Sequence, residues 1–332
     1  MMVVRKLLAY FGKQGATGMG VSLLVAAVVP LIVPGLGVAL RPWLPAMIMV
    51  FLVNAFARVD LSHAQRIVAR PSKLLCGLGW TVLIVPIVFW LALSLVGRDN
   101  LDPGLVLALG LQAAAAPIMA MPAVAMVLEI EVTFSVLLLL ATMAVQPFTA
   151  PIVAPWVAGT LVPIDGLLLG RNLLLMIGGS TILSVALRRL AGLPRLEEYQ
   201  FEIMGANLIV FALFGLTMFD GVVLRVFTQP LLLLSLSALA FLIALGNIGT
   251  AFVFLRFMGS DSAFMTGFAA GHRNVGLMAA AQSGSLPDLT WLYFALVQLP
   301  IYLTPLLLRR TMSFKRQISG ITESKPLRPE EL

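Results

Sequence analysis

Apolar runs of about 20 residues recur along the chain, set apart by short clusters of charge or of Pro, Gly and Asp. Ten such runs stand out, at about 17–37, 42–57, 74–97, 104–128, 132–158, 167–188, 203–221, 230–255, 262–284 and 287–308. As helices these runs are long enough to cross about 30 Å of hydrocarbon, although 42–57 is short for it. An open strand edge cannot face lipid, so helices are the predicted elements. The first run is too long for the apolar part of a cleaved signal, and no A-x-A-like site follows it. It reads as the first span of an all-α membrane protein with ten transmembrane helices.

Composition agrees. The 332 residues are 60% hydrophobic and 11% charged, with mean hydropathy +1.01. A soluble surface needs roughly a quarter charged residues. One cysteine, Cys76, excludes a disulfide framework, and two histidines, His63 and His272, make no zinc spacing. The net charge of +7 is explained by position. With ten spans, 17 of the 22 Lys and Arg residues fall at the termini or in the even-numbered connections. Arg41, Arg98, Arg171 and Arg225 fall on the opposite face, and Arg273 lies inside the ninth span. The positive-inside rule places both termini in the cytoplasm. Anionic membrane lipid is the implied partner of that basic face, and nucleic acid is not needed. Residues 311–332 are polar and mixed in charge, which predicts a disordered cytoplasmic tail. No P-loop, HExxH, GxSxG, paired carboxylates or TVGYG-like filter is present, so neither an ATP-driven pump, a hydrolase nor a potassium channel is indicated.

Two halves of the chain echo each other. Phe51 and Asp60 at the end of span two match Phe211 and Asp220 at the end of span seven, and Pro71 answers Pro230 with one residue of slip. Gly110–Pro122 falls opposite Gly267–Ala279. Five spans in each half make the second copy enter from the opposite side, an inverted repeat. The division is 1–160 for the first five-helix repeat and 161–310 for the second.

Spans four and nine carry helix breakers at equivalent places. Pro117 and Pro122 interrupt span four, and Gly271 and Gly276 flank His272, Arg273 and Asn274 in span nine. Taken alone each is an ordinary kink or a packing face of small residues, but together they predict a pair of broken, crossing helices. A guanidinium in mid-membrane costs several kcal/mol unless it meets a partner. One reading is an ion pair between helices. No carboxylate stands at that depth, however: Glu129 and Glu131 end span four, and Asp220 lies near the outer end of span seven. An anionic substrate is then the preferred partner of Arg273. Asn274 either caps the broken helix or binds substrate. His272 is a packing or hydrogen-bonding residue, or a proton-linked group. Gln112, Gln146, Thr142 and Asn247, each of which taken singly reads as interhelical glue sooner than as a ligand, lie in or beside the crossing and complete the candidate substrate-binding set. Asn54, Asn172, Asn207, Gln282 and Gln298 read as interhelical glue. No metal site is indicated.

This layout resembles the bile acid:sodium symporter family, within the bile-acid and arsenite-type transporters. The resemblance covers about residues 17–310. Its local carriers are the G-x-x-N-x-G-L pattern at Gly271, Asn274, Gly276 and Leu277, and Ser135, Val136, Pro147 and Pro151 in span five. It implies two inverted five-helix repeats, a small organic anion as cargo, and alternating access in which spans 1, 2, 6 and 7 form a panel against the rest. Similarity to the bacterial members implies the inner membrane. The chain departs from the family at its sodium-ligand positions, which are Ala269 and Arg273 here, and Leu137–Leu140 stand where span-five hydroxyls are usual. Sodium coupling is therefore not carried over, no cofactor is implied, and no enzyme activity is expected. A non-transporting membrane sensor or assembly partner that keeps the fold is the other expectation.

Overall fold

The computed structural model describes residues 2–57, 71–282 and 286–318. The fold is all-helical, 87% helix, with no strand among the described residues. Among the described residues six helices are long and apolar enough to cross a membrane: α3 (Leu36–Ala57), α4 (Pro71–Val96), α7 (Val132–Ala158), α8 (Gly166–Ala191), α10 (Gln200–Phe219) continuing into α11 (Val222–Thr228), and α12 (Pro230–Leu255) with a last turn to Met258. Before them come α1 (Met2–Lys13) and α2 (Gly15–Ile32), bent 102° at their junction; taken as one span they would make seven. The chain is thus an integral, multi-pass membrane protein.

The expected spans 132–158 and 230–255 match α7 and α12 to the residue, because Pro, Gly or charge closes both ends. Spans four and nine are not single helices. They are α5 (Pro103–Ala114) with α6 (Met121–Val127), and α13 (Ser260–Gly271) with α14 (Val275–Ala281). A 12-residue half reaches only about 18 Å, too short to cross alone. Two further elements escape the hydropathy pattern: α1, whose apolar positions are spread among Arg5, Lys6 and Lys13, and the short α9 (Leu193–Glu198). The last helix, α15 (Asp288–Ile318), carries on into the stretch expected as a disordered tail from 311, so 311–318 are helical; 319–332 lie outside the described residues. Asp60, His63, Arg58, Arg66, Arg70, Lys325 and Arg328 lie outside the described residues.

Local chemistry sets the element ends. Asp102 caps α5 by accepting from the Gly104 amide at 2.7 Å, with Pro103 in the first helical position. Asp165 caps α8 through the Leu168 amide at 2.9 Å. Inside α7, Pro151 and Pro155 leave the Pro147 and Pro151 carbonyls without helical donors. Gly170 and Gly166 of α8 sit over those two carbonyls, so closely that a Cβ at either would collide. Proline spacing in one helix and glycine spacing in the next thereby form a single interface.

The core is inverted relative to the long spans. Every residue from Val106 to Ile118 and from Ser262 to Ala281 is buried, so the two broken helices form the centre. Outward faces of α4, α8 and α12 expose residues such as Leu95, Ile182, Leu231 and Phe252, the surface a hydrocarbon solvent accepts.

Candidate functional site

The two breaks meet. Pro117 has no N–H to continue α5, and Ala115 turns to an extended conformation. Pro117 and Arg273 then pair in an antiparallel bridge. The Ile118 amide donates to the His272 carbonyl at 2.9 Å, and the Asn274 amide donates to the Ala116 carbonyl at 2.8 Å. Backbone groups freed by each break are therefore satisfied by the other. Of the four expected breakers, Pro117 follows the end of α5 and Gly271 is the last residue of α13. Pro122 occupies the second position of α6, where a missing N–H costs nothing. Gly271 and Gly276 have no left-handed φ. They allow close approach instead: a Cβ at Gly271 would lie 2.9 Å from Ala244 Cα of α12, and one at Gly276 2.9 Å from the Phe214 ring.

Arg273 gathers what remains. It is 2% exposed. Its Nε donates to the Ala270 carbonyl at 2.8 Å, Nη1 to the Ala115 carbonyl at 2.6 Å, and Nη2 to the Thr81 carbonyl at 2.8 Å. Each acceptor has lost its helical donor for a local reason. Asn274 N, due to Ala270 in a continued helix, bonds Ala116 instead. Ala115 stands at the α5 break. Thr81 belongs to a π turn, Trp80–Ile84, in which the Val85 amide bonds Trp80 and the next donor would be Pro86, which has none. Neither an ion pair nor an open cation is seen: the guanidinium is a brace across three irregular helices.

The other expected ligands divide among three surroundings. Gln112 accepts from the buried Tyr293 hydroxyl at 2.7 Å and joins α5 to α15. Asn247 is half-buried, bonds the Ile243 carbonyl at 2.8 Å and lines neither cavity described below. His272 stacks on Phe268 with ring centroids 4.0 Å apart, its nitrogens facing the Phe268 and Pro300 carbonyls at 3.1 and 3.2 Å. Thr142 and Gln146 line a chamber of about 10 Å³ with Arg273, Thr81 and Ala115, room for one water. Thr142 bonds its own helix at Leu138 and Leu139. Gln146 Nε2 lies 3.1 Å from Met278 Sδ, and its buried Oε1 has no partner.

Asn274, with Arg273 beside it, joins the crossing to a larger space. Its Oδ1 caps α14 by accepting from the Leu277 amide at 3.0 Å, and its buried Nδ2 has no partner. It lies on the wall of a cavity of about 940 Å³ between α3, α6, α7, α10, α14 and α15. The wall runs from Ile118 and Asn274 at the crossing out to Phe56, Met126, Val132 and Met204 at the ends of four helices. Asn54, Asn207 and Gln298, read from sequence as glue, are on that wall, as are Thr133 and Tyr302. No spacing marks Tyr302 as special; it lies in an apolar run beside Pro300, and only the fold turns it inward. Compared with known proteins, the chain matches no protein-family model and no curated sequence.

Proposed function

We propose that this chain is a secondary transporter that works by alternating access, with α5–α6 and α13–α14 as its paired broken spans. The observation that carries the reading is the buried crossing with a large cavity leading to it. A broken helix is tolerated in a membrane where protein or a wet cavity satisfies the freed backbone, and carriers place their cargo there. The two halves support an inverted repeat, since α5 ends at Ala114 and α13 at Gly271, with Pro117 bridged to Arg273. Counting each broken pair as one crossing, and α2 and α15 as one each, gives ten spans.

The cavity reaches the ends of α3 and α6 and the starts of α7 and α10, which is the side of the even-numbered connections. That side bears most of the Lys and Arg, so the state is open to the cytoplasm and both termini lie there. Away from the crossing the cavity opens between α3 and α10 on one wall and α6, α7 and α15 on the other, the division that a panel rocking against a core requires. Arg273 takes over the role of a coupling cation by joining the crossing without one, which makes the carrier independent of sodium.

A membrane-impermeant maleimide tests this on a Cys76→Ser background with Leu140→Cys in the cavity wall. In oriented membranes the cysteine should react from the cytoplasmic side, and from the opposite side in the other state. Reaction confined to one side under every gradient and cargo would overturn the carrier and favour a sensor.

A further inference from the structure

We infer that the large cavity takes an uncharged, mostly apolar cargo with hydrogen-bonding groups, and not an anion. The inference rests on the carrier reading and concerns the same cavity. Its wall is built chiefly of Ile, Leu, Met, Phe and Ala, and among the described residues it holds no Lys, His, Asp or Glu. Arg273 is its one ionic residue, and the guanidinium is already bonded to the Ala270, Ala115 and Thr81 carbonyls. Its carbonyl partners Thr81 and Ala115 line the small chamber and are absent from the large cavity's wall.

A carboxylate entering such a space would leave water for an apolar wall whose one cation is already engaged by three carbonyls. The polar groups that do face it are neutral. Asn54 on α3, Asn207 on α10 and the Tyr302 hydroxyl on α15 make no hydrogen bond to the protein among the described residues. Asn54 and Asn207 each both donate and accept, as does the hydroxyl. They stand on three different helices, with the unpartnered Nδ2 of Asn274 behind them at the crossing. A few neutral groups spaced over an apolar wall of about 940 Å³ suit a bulky molecule with separated amide, hydroxyl or carbonyl groups. They do not suit a compact ion.

A matched pair of probes isolates the charge: pyrenebutyric acid, ionised at neutral pH, and its primary amide, pyrenebutyramide. Equilibrium binding to the purified full chain in detergent is read from pyrene fluorescence. Specific binding is the part lost on filling the cavity with Ala123→Trp, whose side chain is exposed to that space. Leu140→Trp serves as a second filling variant, and both must keep a cooperative thermal transition. The amide is expected to bind at least as tightly as the acid, and about tenfold tighter if the acid gains no cation. An acid that binds tighter than the amide would overturn the inference, and so would the absence of specific binding by both. Uptake of the amide into proteoliposomes is measured separately. Binding without uptake would count against the carrier and leave this inference standing; uptake of the acid with preferred binding of the acid would do the reverse.

Discussion

A guanidinium has five N–H donors and no acceptor, which suits a place where three carbonyls have lost their helical donors. Arg273 fills such a place. Replacing it by Leu keeps the bulk apolar but orphans the Ala270, Ala115 and Thr81 carbonyls, at about 1–3 kcal/mol for each buried group. Gln146→Leu is the contrasting change, because it removes an acceptor that already lacks a partner. Thermal unfolding in detergent should show a large loss for Arg273→Leu and little or none for Gln146→Leu. Equal losses would mean that the guanidinium is not a brace. From sequence, Arg273 is legible as a residue that demands a partner. What stayed hidden was that broken helices themselves make acceptors. The Thr81 carbonyl in particular depends on Pro86, in a different span, and no local spacing connects the two.

At the scale of elements, small residues decide how near the helices come. Gly267 and Gly271 place α13 against α12, where a Cβ would lie 2.7 Å from Ile248 Cα or 2.9 Å from Ala244 Cα. Gly12 and Gly205 do the same for α1 and α10, where Arg5 reaches Glu202 at 2.8 Å. Gly178, midway along α8, meets nothing within 4 Å. Two substitutions of the same size should therefore differ in sign. Gly271→Ala must push α12 and α13 apart and should cost about 1–3 kcal/mol, whereas Gly178→Ala should stabilise by about 0.5–1 kcal/mol. Thermal transitions of the two variants decide it, and a stable Gly271→Ala protein would refute the close approach. Span limits were readable from hydropathy because lipid demands unbroken apolar length, and Pro117 was readable as a breaker because proline lacks a donor. Gly271 and Gly276 read from sequence as helix breakers or as a packing face of small residues; the closeness to Ala244 and Phe214 bears on the second, and which helix is approached needs the fold to be known. Likewise α1 hides from hydropathy because its charges interrupt the apolar face that packs on α10.

At the scale of the molecule, the cavity leads to one side, and the ends of the helices on the other side are tied together. Arg41 of α3 lies over the Trp291 ring of α15 at 4.4 Å, Arg225 of α11 reaches Asp288 of α15 at 3.5 Å, and Asp220 accepts from the Val38 amide at 2.9 Å. The first two ties join α3 and α11 to α15 across the line along which the panel would move. A carrier that opens to the far side must break them, so their strength sets part of the balance between states. A guanidinium over an indole contributes about 0.5–2 kcal/mol. Removing the ring by Trp291→Ala should then move the equilibrium by roughly two- to thirtyfold towards the state open on that side. The cysteine at position 140 reports the change directly. In the Trp291→Ala background it should label faster from the far side and more slowly from the side to which the cavity leads, with Arg225→Gln in the same direction and weaker, because Asp288 is 80% exposed and the pair is screened. Labelling that stays the same from both sides would mean that this contact is only packing, and that the closure lies deeper, at the crossing itself.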